Sequence, residues 1–592
     1  MKRSEVQEQY KWKLEDIYAT DEDWEKEFKE CLSDVKKMNV FKGRLSSKKQ
    51  LLACLKFSDE TEKKLGRLYC YARMRRDENS VIDKYVSMSE RAQNLLTTYA
   101  STSSYVSPEL NNLSEEYIDK VMALPEFESY SYVLGEIKRK KQHTLPEREE
   151  RLLAMASDAL GACDDIYGKI DNIDLPLPKI KDEKGDKIRL TQGRYSMFMQ
   201  SPSAIMRKHA FDALYKTYAK LINTITATYA GSVKADNFYA VARGYKSALE
   251  QALFEDNVPS AVYDNLLTAV SDNLFALHDY MTLRKKVLKV DKLHMYDMYV
   301  PIIDNLEMNW KYDEAYDTVV AGLSPMGNEY VELLRRAREE KWIDVYETEN
   351  KRTGAYSWGC YGTHPYVLLN HSNTTHDLFT IAHEMGHALH TYYSNETQPY
   401  AKHQYSIFVA EVASTVNEVL LLKYLINNTT DKRVKRYLLT YYLDMFRTTL
   451  FRQTMFAEFE KISHDSASKG IALTPKYLCD KYYKLNKKYY GKDVMHDNLI
   501  RYEWARVPHF YSAFYVYKYA TGLTAAVSIV SGILERGESA VTSYKRFLQS
   551  GGSDSPYELL KIAGVDLMDK APFEVAMNEF KSTLDALNRE FE

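Results

Sequence analysis

Residues 376–393 read HDLFTIAHEMGHALHTYY. Leu378, Ile381, Ala382, Met385, Leu389 and Tyr392 recur at helical spacing, which predicts an amphipathic helix over about 376–393. On its opposite face the same helix carries His383-Glu384-Met385-Gly386-His387, an H-E-x-x-H pattern. Histidines four residues apart stand one turn apart on one face, so both imidazoles can point at one ion. Glu384 lies about 60° around the helix from His387, where its carboxylate reaches a water beside the ion without taking a coordination position. Chance would place such a string in roughly 2 of 100 chains of this length and composition, so context has to carry part of the argument. Seven of the 14 histidines (364, 371, 376, 383, 387, 390 and 403) fall within the 40 residues 364–403. Random placement would put about one there.

A catalytic zinc takes three protein ligands and keeps one position open. The next helical segment, YSIFVAEVASTVNEVLLLKYLI (405–426), is strongly apolar yet carries Glu411, Ser414, Thr415 and Glu418 as an i, i+3, i+4, i+7 stripe. Carboxylates in an apolar setting are costly unless paired or bound to metal. Glu411 is therefore the expected third ligand, and Glu418 the expected partner that orients a ligating histidine. His390 shares the face of His383 and His387 and competes for the third position. Three ligands from one short helix surround an ion poorly, so a supporting or packing role is expected for it. The alternative for the stripe is a solvated helix face. The expected cofactor is one Zn2+ per chain.

Working outward, the chain has 592 residues, 45% apolar and 28% charged, enough for more than one core and incompatible with a disordered chain. Lys and Arg total 80 against 83 Asp and Glu, which argues against a nucleic-acid-binding surface. The six cysteines show no C-x-x-C pair, as expected of reduced thiols in the cytoplasm. No apolar run follows the basic start, and the longest apolar-rich run, residues 522–534, is too short to span a bilayer. A soluble cytoplasmic protein without a membrane partner is the expectation. Tyrosine is in excess, 48 residues against 21 Phe and 6 Trp, and each buried hydroxyl needs a partner. These rings either fill a helical core or line a donor-rich cavity.

Few glycines and prolines interrupt long runs of helical periodicity, so the fold class is mainly α. Residues 175–195, LPLPKIKDEKGDKIRLTQGRY, predict a β-hairpin, and a boundary is placed there: an N-terminal helical region over 1–195 and a catalytic region over 196–592. Residues 353–370, TGAYSWGCYGTHPYVLLN, predict two short strands of a small sheet beside the zinc helix. Tyr366–Asn370 offers an edge to which a peptide can add by main-chain hydrogen bonds. Gly359 and Gly362 would let the backbones approach.

HEMGHALH (383–390) followed by FVAEVASTVNE (408–418) resembles the thimet oligopeptidase family of zinc peptidases, and its oligopeptidase F branch in particular. The segments 11–27, 235–253, 293–302, 354–370, 507–522 and 551–566 are similar to that family as well, so the resemblance covers most of the chain. It implies two helical halves enclosing a deep channel, a zinc held by His383, His387 and Glu411, and internal cleavage of short unstructured oligopeptides. Glu384 would be the general base. The resemblance also implies substrate and oxyanion contacts from VPHFYSAFYVYKYATG (507–522). These fall on His509, Tyr511 and Tyr515, the choice among Tyr511, Tyr515 and Tyr517 staying open. Tyr511 and Tyr515 are expected one turn apart on a helix, GGSDS (551–555) as a flexible loop, and Cys360 as a thiol that makes activity sensitive to thiol reagents. A peptide-binding protein without catalysis, or a zinc enzyme acting on another amide, would share the same motif.

Overall fold

Helices dominate the chain, and the strands are few and short. A computed structural model describes residues 1–303, 306 and 308–592. The chain forms two compact units, and both are discontinuous in sequence. The first contains residues 1–144, 307–425 and 529–565; the second contains 145–306, 426–528 and 566–592. The chain first passes between units after Thr144, and the hairpin expected to close an N-terminal region lies inside the second unit.

The first unit holds the three-stranded sheet. Helix Lys48–Glu78 runs beside helix Asp83–Ser103, and Leu65, Leu68, Tyr71 and Met74 of the first join Met88, Ala92 and Leu95 of the second in one buried cluster. Cys360, Tyr366 and Leu368 belong to the same cluster, so the N-terminal helices anchor the sheet. β4 (Ile343–Tyr346), β5 (Tyr356–Trp358) and β6 (Tyr366–His371) pair in the order β4-β6-β5, parallel for β4 and β6 and antiparallel for β5 and β6. The Lys351 ammonium pins the parallel pair. It donates to the carbonyls of Asp344, Tyr346 and Leu369 at 3.3, 2.7 and 2.6 Å, and lies 2.7 Å from the Asp344 carboxylate.

This topology corrects one expectation. Tyr366–Asn370 is not an edge, because β6 is the central strand and its Tyr-Val-Leu-Leu run is buried. The physical reason is composition: a continuous apolar strand is stable where both faces are covered. The two outer strands are β4, which is mostly buried, and β5, whose three residues are half-buried.

The second unit is built around the 39-residue helix Ala204–Ala242, whose buried residues include Phe211, Tyr215, Tyr218 and Tyr229. β1 (Lys179–Lys181) and β2 (Lys187–Arg189) form the expected antiparallel hairpin. β3 (Leu293–His294) pairs with β7 (Val494–Met495). Among the described residues no helix is long and apolar enough to cross a membrane.

Candidate metal centre

Thr374 caps the helix that bears the motif, Thr375–Thr397: its hydroxyl accepts the Asp377 N–H at 3.1 Å, and the Asp377 carboxylate accepts the Thr374 N–H at 2.8 Å. This reciprocal pair satisfies donors that a helix start leaves open. Leu378, Ile381, Ala382, Met385 and Leu389 are buried as the periodicity predicts. The helix is covered more widely than an amphipathic pattern requires, because Gly386 and Ala388 on other sides are buried too. The partner helix, Ile407–Asn428, lies against it at Gly386. Asn417, fully buried on the partner helix, donates to the Ala382 carbonyl at 3.1 Å and accepts from the Tyr330 hydroxyl at 2.9 Å. A buried amide with both ends bonded fixes the register of the two helices.

That register converges three side chains from the two helices. His383 Nε2 and His387 Nε2 stand 3.2 Å apart, and Glu411 Oε2 lies 3.5 Å from the first and 3.7 Å from the second. Two donors each about 2.0–2.1 Å from a tetrahedral ion are separated by about 3.3–3.4 Å, so the three spacings fit one metal ion of that geometry. Among the described residues this is the only group of three or more His, Cys, Asp or Glu side chains with such spacing. Glu418 Oε1 lies 2.5 Å from His383 Nδ1, which fixes the tautomer with the proton on Nδ1 and turns the lone pair of Nε2 toward the centre. His387 has a hydrogen bond to the Ala410 backbone. The Ser414 hydroxyl donates to Glu411 Oε2 at 3.2 Å.

The electrostatics follow from this crowding. Burial opposes charge on His383, but the hydrogen bond to Glu418 and the charges of Glu418, Glu384 and Glu411 outweigh it and raise the imidazole to about 9. Burial, and then the charge of His383, lower His387 to about 4. Glu384 is 7% exposed, and burial pushes its carboxyl up to about 7; the charge of His383 and a hydrogen bond from the Ser357 backbone act the other way. A carboxyl held near neutrality is suited to accept and return a proton at physiological pH.

The other expected residues separate into distinct environments. His390 does not touch the donor set: its ring stacks on Tyr405 with centroids 3.6 Å apart and lies against Phe547. It is 1% exposed among these rings and stands outside the three-donor group, which is the packing environment of a core side chain. Gly359 faces its own hairpin, where an added Cβ would meet Pro365 Cα at 3.1 Å, and Gly362 takes the turn at φ +90°. Both shape the β5–β6 connection. Cys360 is 6% exposed, with its sulfur 3.3 Å from the Thr363 hydroxyl, so the thiol is enclosed and not open at a surface. The GGSDS segment is docked: the Gly552 N–H donates to the Lys402 carbonyl at 2.8 Å, on the connection between the two metal-site helices.

His509, Tyr511 and Tyr515 belong to the second unit. Tyr511 and Tyr515 do not share a helix. A short 3-10 turn ends at Tyr511 and the following helix starts at Tyr517. Between them Phe514 takes φ +56°, its N–H held 3.0 Å from the buried Glu460 carboxyl, and a left-handed residue interrupts a helix. Tyr511 stacks on Tyr167 and shares a hydrogen bond with Thr228 at 2.7 Å. Tyr517 is buried against Tyr263. Tyr515 stacks on His509, whose Nε2 lies 3.3 Å from the Tyr519 hydroxyl. The tyrosines beside the strands have local partners: Tyr356 donates to Asp77 at 2.9 Å and Tyr361 to the Gln398 carbonyl at 2.8 Å.

Comparison with known proteins decides the family. The profile of peptidase family M3 matches residues 197–579, and that of oligopeptidase F matches residues 109–176. The chain belongs to peptidase family M3. It is 44% identical over 587 residues to Oligopeptidase PepF of Bacillus subtilis, covering 99% of this chain and 88% of that one. A crystal structure from Chlamydophila abortus, 34% identical, aligns over 100% of this chain and 99% of that one with a TM-score of 0.94. The oligoendopeptidase-F structure from Enterococcus faecium, also 34% identical, aligns over 96% and 99% with a TM-score of 0.73. This M3 chain is therefore a metallopeptidase, and its His383–His387–Glu411 cluster is a group of side chains able to hold the metal.

Three features of the M3 site were not read from the sequence. The Ser357 backbone contact to Glu384 requires β5 and the motif helix to be adjacent in space. Asn417 lies among apolar residues and carries no spacing signal toward the motif. Gly386 had a usable signal: a glycine inside the motif and the small pair Ala413-Ser414 on the next helix mark a close helix crossing.

Proposed function

We propose that the chain is a zinc endopeptidase that hydrolyses internal bonds of short, unstructured oligopeptides. The observation that carries this reading is the set of three donor atoms at tetrahedral spacing with the buried Glu384 carboxyl beside them. The names of the relatives, an oligopeptidase and an oligoendopeptidase, support the substrate class. Zinc held by His383, His387 and Glu411 supplies a lowered pKa for water and polarisation of the scissile carbonyl. Glu384 takes the proton of the attacking water and passes it to the leaving amine. Glu418 holds His383 in the tautomer that presents Nε2. β5 offers its free edge to the substrate backbone, which gives affinity with little demand on sequence. His509 and Tyr515, with Tyr511 beside them in the chain, supply the substrate and oxyanion contacts. The M3 profile over 197–579 supports a catalytic region running from residue 196 to 592, preceded by a helical region over 1–195. The six free cysteines support a cytoplasmic location.

Digestion of a peptide library with mass detection tests the reading. Internal cleavage of short peptides that stops on chelation and returns with zinc is expected, with casein left intact. Release of terminal residues only, or cleavage that survives chelation, would overturn it.

A further inference from the structure

Helices Lys48–Glu78 and Asp83–Ser103 line an open pocket of about 250 Å³. Its lining includes Tyr69, Arg73 and Arg76 from the first helix, and Glu90, Gln93 and Asn94 from the second. The first three share a face because they follow i, i+4, i+7 spacing. The ring of Tyr69 forms one wall and meets Trp358 edge-on, with centroids 5.6 Å apart. Trp358 is the last residue of β5 and directly follows Ser357, whose backbone bonds Glu384. The pocket therefore flanks the edge strand that runs past the catalytic carboxyl, and every element in this chain of contacts belongs to the first unit.

The charges of the pocket are arranged unequally. Arg73 Nε lies 3.3 Å from Asp77 Oδ1, and Asp77 is in turn held by the Tyr356 hydroxyl at 2.9 Å and Arg352 at 3.4 Å. Arg76 is half-buried, and its guanidinium has no hydrogen-bond or ion-pair partner among the described residues. Arg73, Arg76 and Glu90 give the lining itself one excess positive charge, and Asp77, outside the lining, is shared between Arg73 and Arg352. A guanidinium fork matches a carboxylate through two parallel hydrogen bonds, and the Gln93 and Asn94 amides add neutral donors. The charge balance suits a monoanion, and the volume suits one amino-acid side chain or a chain end.

We propose that this pocket is a specificity subsite that binds one carboxylate of the peptide substrate through Arg76. The carboxylate is an Asp or Glu side chain or the substrate's C-terminus. The proposal rests on the oligopeptidase reading above.

The test measures binding, so that it does not depend on turnover. Fluorescence anisotropy on the Glu384→Gln protein compares peptides that differ by Glu against Gln at each position, and by a C-terminal acid against an amide. One acidic member should bind about 10- to 100-fold tighter than its neutral isostere, the range of a charge-assisted bidentate contact. Which pair shows the preference identifies the source of the carboxylate. Arg76→Gln should bring that ratio to within about threefold and Arg76→Lys should restore part of it, since a point charge replaces a fork. Absence of any acid preference, or a preference that survives Arg76→Gln, would overturn the subsite. If the wild-type enzyme cleaves no peptide in the library assay, the oligopeptidase reading fails while the binding ratios still decide the pocket.

Discussion

Adding one methyl group at Gly386 puts the geometry of the metal centre to the test. Gly386 lies between the two motif histidines, and a Cβ there would stand 2.6 Å from Ser414 Cα, 2.7 Å from the Ala413 carbonyl oxygen and 2.9 Å from its carbon. All three are main-chain atoms, so no rotamer change relieves the overlap. Restoring ordinary contact at about 3.5 Å requires the two helices to part by about 0.9 Å. Overpacking of this kind costs about 1–3 kcal/mol. Replacing glycine by alanine inside a helix returns about 1 kcal/mol through backbone propensity. The metal-free Gly386→Ala protein should therefore be less stable than wild type by up to about 2 kcal/mol, against the sign that propensity alone gives. Glu411 moves with its helix, one turn before Ser414. Its oxygen already stands 3.5 and 3.7 Å from the two imidazole nitrogens, and metal sites tolerate only about 0.2 Å. Zinc affinity, measured by competition with a chromophoric chelator, should fall at least about tenfold, and turnover about 100-fold. A Gly386→Ala protein that melts higher than wild type and binds zinc within twofold of it would refute the reasoning, because the helices would then have absorbed the methyl group without moving the ligand.

Glu384→Gln should lower kcat/KM by about 10²- to 10⁴-fold while zinc affinity stays within about threefold; loss of the metal instead would make Glu384 a ligand. Burial, followed by the charge of His387, pushes the His390 imidazole down to about 3, against an ordinary value of 6.5. The unfolded chain therefore takes up a proton that the folded chain refuses, and this contribution to stability, present above pH 6.5, is lost as pH falls toward 3. Metal-free wild type should lose about 3 kcal/mol more than His390→Phe between pH 7 and 4 in urea unfolding; equal losses would show that His390 does not stay buried and neutral. Lys351→Met leaves Asp344 with Arg3 alone, 2.6 Å away, and removes three bonds to backbone carbonyls. It should destabilise the protein by about 3–5 kcal/mol in the same assay, and a change below about 1 kcal/mol would show that the β4–β6 pair does not depend on it.

Legibility in the sequence followed the range of each interaction. The motif helix and its buried stripe were readable because they depend on residues within one or two turns. Glu411 and Glu418 were readable because carboxylates on an apolar helix are anomalous wherever that helix packs. The strands at 356–358 and 366–371 were readable as strands, but their order was not: β-propensity carries no information on which strand pairs with which. The helix expected through Tyr511 and Tyr515 failed for a related reason. The Phe514 backbone is held in a left-handed turn by Glu460, 54 residues away in sequence, and no local pattern announces that bond.

The sequence by itself therefore determined the side chains available at residues 383–418: two imidazoles on one helix face, a carboxylate donor on the next helix, and a further carboxyl that stands aside from them. Only the tertiary structure decided that these groups meet. Gly386 lets two backbones approach, Asn417 sets their register, and together they bring Glu411 within 3.5–3.7 Å of both imidazole nitrogens. It also decided that His390, one turn beyond His387 on nearly the same face, is a core residue. A helical pattern assigns a face, but what lies against that face is set by long-range packing, and that packing separates a ligand from a buried ring.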